Sequence, residues 1–506
     1  MTSTIDPYAW VESAAQRSGE RAFLTTLQGH SLSYAALHDA AARWSGALAA
    51  RGVVPGDRVA VQIDKSVESV LLYVACLRLG AVYVPINTAN SANEVEYFLR
   101  DAEPRVVVLR PDAVPTVAAS LAHVETLGAH GEGTLAALAG RSDLVAGPRA
   151  ALPASALAAI VYTSGTTGRS KGAMLTRGNL ASNAATLADA WRFSSADVLL
   201  HMLPLFHVHG LFAAINTVLA SGSSMLLAGG FDAPVALRHL TAATVFMGVP
   251  TYYTRLLQMP GLDRQLTAHI RLFVSGSAPL LAETHQEFER RTGHVILERY
   301  GMTETLMNTS NPYDGERVPG SVGPPLPGIE LRVVDAVSGS VAHAPAVVGA
   351  LEIRGPNVCA GYWRDPAKTA SEFTADGWFR TGDLGCIDAR GYVQIVGRAK
   401  DLVISGGYNV YPKEVEAELD ALPGVLESAV IGVAHPDFGE GVTAVVVARP
   451  GMTLSESDLI RALQERVARY KVPKRVIVVD ELPRNAMGKV QKNVLRQSYA
   501  ALYQAG

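Results

Sequence analysis

The chain has 506 residues, 48% hydrophobic and 18% charged, and a formal net charge of -3, so it can enclose a large core and gives no overall charge for nucleic acid or membrane surfaces. Its three cysteines, Cys76, Cys359 and Cys386, lie far apart without metal-ligand spacing, which argues against a disulfide framework or a zinc site and suits a reducing cytoplasm. The first ten residues lack a signal-peptide profile, and the longest apolar stretch, 70–86, is broken by Arg78 and Gly80, so a soluble protein is expected with no membrane partner.

From residue 7 to about 52 the pattern predicts a short helix, a hairpin around Gly29 and a helix beginning at the Ser33 cap. Strands are predicted at 59–63, 81–85 and 106–109, with a helix over 68–80. Strand signals return at 198–202, 224–228, 244–247, 272–275 and 295–297, with helices between most of them, and this alternation predicts parallel sheets covered by helices. After Pro327, closely spaced strands at 330–334, 350–354 and 392–396 predict a small β subdomain. Beyond Lys400 come a hairpin over 401–410, helices over 412–422 and 455–470, and strands at 428–433, 442–448 and 475–479. The fold class expected is a large α/β N-terminal domain with a small β subdomain, residues 1–399, followed by a smaller α+β lid, residues 400–506.

The run Thr163-Ser164-Gly165-Thr166-Thr167-Gly168-Arg169-Ser170-Lys171-Gly172 stands out between the apolar stretch 157–161 and a helical pattern opening at Asn179-Leu180. Its three glycines let backbone N–H groups converge on one anion, its four hydroxyls before Arg169 add donors, and Lys171 adds a point charge. Strand, hydroxyl- and glycine-rich loop, then helix predicts a polyphosphate site. It is no Walker loop, because Gly172 follows Lys171 where Ser or Thr is required.

Six further stretches are non-generic: Pro204-Leu205-Phe206-His207-Val208-His209-Gly210; Ser275-Gly276-Ser277-Ala278-Pro279; Glu298-Arg299-Tyr300-Gly301-Met302-Thr303-Glu304; Thr381-Gly382-Asp383; Gly397-Arg398-Ala399-Lys400-Asp401; and Pro483-Arg484-Asn485-Ala486-Met487-Gly488-Lys489. In order and spacing they resemble the adenylate-forming superfamily of acyl-CoA synthetases, carrier-loading adenylation domains and luciferases, over essentially the whole chain. Within it the chain is most similar to malonyl-CoA synthetases.

That resemblance implies ATP and AMP contacts from Thr163, Ser164, Gly165, Thr166, Thr167, Gly168 and Lys171, from Gly276, Ser277 and Ala278 along the adenine, and from Glu298, Tyr300, Gly301, Met302 and Thr303. Glu304 would hold Mg2+ as a hard oxygen ligand bridging ATP phosphates, and Thr303 would donate to the α-phosphate. Asp383 would accept from the ribose hydroxyls, with Arg398 in support. Lys489 would be the transition-state cation of adenylation, Lys400 the hinge of a rotating lid, and Gly406 and Gly407 the lining of the coenzyme A tunnel. An acetyltransferase acting on Lys489 would remove that cation.

Arg299 sits at the implied acyl pocket, where a guanidinium grips a carboxylate through two parallel hydrogen bonds and an apolar acid would leave it unpaired; a structural pair with Glu298 is the alternative. His207, also among the candidate catalytic residues, and Met307 would wall that pocket, and Val208 leaves the choice between malonate and methylmalonate open. The expected reaction is malonate plus ATP plus coenzyme A to malonyl-CoA, AMP and diphosphate through a malonyl-adenylate. Other short-chain acyl-CoA synthetases, a free-standing enzyme loading a carrier protein, and a non-catalytic nucleotide-binding scaffold are the competing readings. Glu304, Asp383, Arg398 and Lys489 are all present, which disfavours the scaffold.

Overall fold

The computed structural model describes residues 6–113, 123–163, 170–335, 339–485 and 488–503. The chain forms two compact units, one made of residues 1–330 and 353–379, the other of 331–352 and 380–506. Residues 331–352 and 380–399, grouped with the N-terminal domain in the sequence reading, therefore belong to the second unit.

The first unit contains two mixed sheets. One runs Val124–Thr126, Val106–Leu109, Arg58–Gln62, Val82–Pro85, Leu157–Thr163, Lys171–Thr176, six strands that are parallel except for the last pair. The other has eight strands, with the parallel series Leu297–Met302, Leu272–Ser275, Val245–Gly248, Val198–His201, Ser224–Leu227, Ala22–Thr26 closed at each edge by an antiparallel partner, Leu306–Ser310 and Ser31–Ser33. Strands such as Val106–Leu109 and Leu272–Ser275 are buried at every residue, as sheets covered on both faces require. The apolar stretch 70–86 is a buried helix, Val67–Leu79, followed by the strand Val82–Pro85. No helix among the described residues is long and apolar enough to cross a membrane.

Two expectations need correction. Between the phosphate loop and the helix Arg177–Ala190 lies a strand, Lys171–Thr176, so the loop joins an antiparallel hairpin instead of leading directly into a helix. Gly172, Ala173 and Leu175 are buried and extended against Tyr162, Val161 and Ala159, and Thr176 then caps the helix reciprocally with Asn179. The strand expected at 295–297 instead runs through Leu297–Met302, because the turn after Met302 returns the chain as Leu306–Ser310 and pairs it.

The small β subdomain is a four-stranded sheet, Glu330–Val334, Gly349–Arg354, Phe379–Ile387, Val393–Arg398, most of whose residues fall in the second unit. The rest is α+β: a five-stranded sheet built on the long hairpin Val425–His435 and Gly439–Ala448, with the helices Pro412–Asp420 and Glu456–Gln464 packed on a core that includes Val415, Leu419, Val430, Val446, Leu459 and Leu463.

Candidate active site

The phosphate loop's two ends are register partners, Thr163 facing Lys171 across the hairpin. Ser164, Gly165, Thr166, Thr167 and Gly168 lie outside the described residues. Thr163 Oγ1 is 3.5 Å from Oε1 of Glu304, which also accepts from the Tyr362 hydroxyl at 3.0 Å. Glu304 is buried in the turn between the strands Leu297–Met302 and Leu306–Ser310, and its carbonyl accepts from the Cys359 amide at 2.7 Å. The Tyr362 phenol is pushed up by burial and by that carboxylate, so it stays a donor. The candidate metal ligand and the mouth of the phosphate loop are thus brought together.

Along Leu297–Met302, side chains alternate between faces. Glu298 is buried with His285 Nδ1 3.3 Å away and the Gly320 amide 3.2 Å away, and it has no pair with Arg299. Arg299 is only 3% exposed, and its Nε and Nη2 have no hydrogen-bond partner among the described residues. Burial pulls its pKa down to about 9, opposed by the nearby Tyr253 phenol. The Arg299 guanidinium carbon comes within 2.5 Å of where a side chain on Gly276 would begin, so only glycine leaves it room. Next to Gly276, Ser277 takes a left-handed backbone, φ +74°, and its Oγ lies 3.3 Å from Nδ1 of His209.

His209 is fully buried, its Nε2 has no partner among the described residues, and burial together with the Arg299 charge holds its pKa well below the imidazole range. His207 is half-buried, and its Nδ1 accepts from the His209 amide at 3.2 Å. Met307 is buried opposite Gly301, its backbone held on both sides by Asn183, while Ala278 is half-buried and the Tyr300 hydroxyl lies 4.0 Å from the Met302 sulfur. Thr303 lies in the same turn as Glu304.

In the second unit, Asp383 and Arg398 are cross-strand partners, paired Oδ1 to Nε at 2.8 Å. Lys400 lies in the short turn Ala399–Asp401, and burial lowers its pKa. Lys489 keeps surface exposure, yet the protein packed around its ammonium and the nearby Arg398 lower its pKa to about 8, with Asp383 and Asp401 opposing. Its amide donates to Asn485 Oδ1 at 3.0 Å and its carbonyl accepts from the Asn485 amide at 3.0 Å, which closes a tight loop. Gly406 and Gly407, φ +59° and +82°, form a two-residue hairpin turn that a side chain would strain.

AMP-binding enzymes match this chain over residues 11–363, and the AMP-binding enzyme C-terminal domain matches residues 414–489. The chain belongs to the AMP-binding enzyme family. Among solved structures, ATP-bound MatB from Rhodopseudomonas palustris is 54% identical with a TM-score of 0.96, covering 99% of this chain and 100% of that one. The mitochondrial malonate–CoA ligase ACSF3 of Mus musculus is 36% identical over 493 residues, covering 88% of this chain and 83% of its own. An indoleacetate–CoA ligase of Aromatoleum aromaticum is 37% identical over 486 residues, covering 93% of each. The chain is accordingly an adenylate-forming acid–thiol ligase, for which ATP and coenzyme A are fitting co-substrates.

For this AMP-binding enzyme, sequence reading missed the contributions of His209 and Tyr362. His209 stands in a stretch already singled out, two residues past His207, and a second histidine beside a glycine was its only signal. Tyr362 lies 58 positions from Glu304, and no local pattern announces that contact.

Proposed function

We propose that this ligase is a malonyl-CoA synthetase, forming malonyl-adenylate from malonate and ATP and then malonyl-CoA and AMP. The observation that carries the reading is the buried Arg299 guanidinium, with two donors unmet among the described residues and the likewise unpartnered Nε2 of His209 nearby. A cation held dry without an acid is unfavourable until an anion arrives, and an acid with a second carboxylate supplies one in bidentate geometry. In the tautomer in which the Ser277 hydroxyl donates to Nδ1, His209 Nε2 carries the proton and adds a third donor. His207, Val208 and Met307 would wall a pocket sized for a small acid, and the resemblance to a malonate–CoA ligase supports the choice.

The carboxylate remote from Arg299 attacks the α-phosphorus and pyrophosphate leaves, with Lys489 offsetting the charge that develops. Coenzyme A thiolate then displaces AMP from the mixed anhydride, its pantetheine passing Gly406 and Gly407. Lys400 is the pivot between the two half-reactions, Asp383 and Arg398 serve the ribose, and Thr303 serves the α-phosphate. Glu304, a buried carboxylate beside Thr163, would hold Mg2+ together with the nucleotide, and the metal would supply neutralisation of phosphate charge there. Pyrophosphate release measured with malonate, methylmalonate, succinate, acetate, butyrate and octanoate tests the assignment: malonate should lead, and a preference for butyrate or octanoate overturns it.

A further inference from the structure

The loop carrying His207 and His209 is closed on itself and held by a cation that the adenylation chemistry does not use. His201 ends the strand Val198–His201, and its Nε2 lies 2.9 Å from the carbonyl oxygen of Gly210 at the loop's far end. A carbonyl only accepts, so Nε2 carries the proton and Nδ1 is an acceptor. Lys65 Nζ lies 2.8 Å from that Nδ1, 2.9 Å from the His201 carbonyl oxygen and 2.9 Å from the Leu203 carbonyl oxygen. Three acceptors call for three N–H donors, so the geometry makes Lys65 an ammonium, although burial draws its pKa well below the lysine range. No acid among the described residues pairs with it; the loop itself satisfies the charge.

The loop is also as tight as backbone allows. A side chain on Gly210 would begin 2.1 Å from the Pro204 carbonyl oxygen, and the π-helix His209–Ile215 starts there, a widened turn of the kind found at functional sites. Residues 201–210 thus form a closed ring of chain anchored at its base by Lys65.

We propose that Lys65 is a positioning residue for acid recognition: through His201 and Leu203 it sets the loop that presents His207 and His209 to the Arg299 guanidinium. The inference rests on the reading that the Arg299 pocket receives the acid. Without Lys65, His201 Nδ1 and two carbonyls lose their donor, and a loop displaced by about an ångström no longer aims its imidazoles.

The test is ATP–pyrophosphate exchange with Lys65→Met, Lys65→Arg, His209→Ala and the Lys65→Met/His209→Ala pair, using whichever acid the wild type turns over best, alongside thermal unfolding. Lys65→Met should raise KM for the acid about tenfold or more, with KM for ATP within about twofold of wild type. Lys65→Arg should not restore it, because a planar fork cannot meet three converging acceptors. His209→Ala should cost far less in the Lys65→Met background than alone. Parallel rises in both KM values, or additive effects of the two substitutions, overturn the proposal and leave a structural lysine. Should Lys65→Met fail to fold, Lys65→Gln supplies the same cycle. If the wild type prefers a monoacid, the malonate reading fails, and the Lys65 cycle is still read on that monoacid.

Discussion

Replacing Arg299 with leucine separates a carboxylate clamp from a structural arginine. Its guanidinium is 3% exposed and, among the described residues, makes no ion pair and leaves Nε and Nη2 unmet. The fall of its pKa to about 9 corresponds to roughly 5 kcal/mol spent on holding a dry charge, which a substrate carboxylate recovers in part. Truncating one partner of such a buried charged pair costs about 3 kcal/mol, so kcat/KM for malonate should fall roughly 150-fold. Butyrate lacks the second carboxylate and should lose little or gain. A second readout follows from the sign of the charge term: with no substrate bound, removing an unpaired buried cation should raise the unfolding midpoint, and malonate should no longer raise it further. The reasoning is refuted if malonate and butyrate activities fall together, or if the variant unfolds at a lower temperature than wild type.

Lys489→Ala should abolish pyrophosphate release while sparing thioester formation from preformed malonyl-adenylate; equal loss of both steps would remove Lys489 from the first. Because the Lys489 ammonium is needed protonated and its pKa lies near 8, kcat/KM for ATP should fall as pH rises through about 8, a limb that Lys489→Arg should shift to higher pH. Glu304→Gln should raise the Mg2+ concentration that gives half-maximal pyrophosphate release, and an unchanged Mg2+ dependence would argue that the metal is held elsewhere. Burial raises Asp420 to about 7, so its contribution is greatest below its unfolded pKa and is lost as pH rises through 7. Asp420→Asn should therefore raise the unfolding midpoint more at pH 8 than at pH 5, a gain of roughly 1–2 kcal/mol once the carboxylate's remaining solvent contact is allowed for.

Much of this was legible in the chain. Alternation of short apolar runs with helical stretches announced layered α/β sheets, and the predicted strand at 272–275 coincides with Leu272–Ser275 because a strand buried on both faces reads as a short, nearly continuous apolar run. The Lys171–Thr176 strand escaped because its mixture of Lys, Gly and Thr has no clear period, and pairing with Leu157–Thr163 is what makes it extended. Two domains were expected with a boundary at 399/400, whereas residues 331–352 and 380–399 group with the second unit, a grouping set by contacts in the fold.

The sequence by itself determined the chemistry available: a hydroxyl- and glycine-rich loop, an acid at Glu304, a cation at Lys489 and a guanidinium at Arg299. Those identities follow from local spacing, which survives without coordinates. Only the tertiary structure decided which charges are satisfied. It paired Glu298 with His285, left Arg299 dry and without a partner for Nε and Nη2 among the described residues, and tied Lys65 to His201 across 136 positions of chain. Burial and partnership arise from packing of distant segments, and they turn a list of polar residues into a site that awaits an anion.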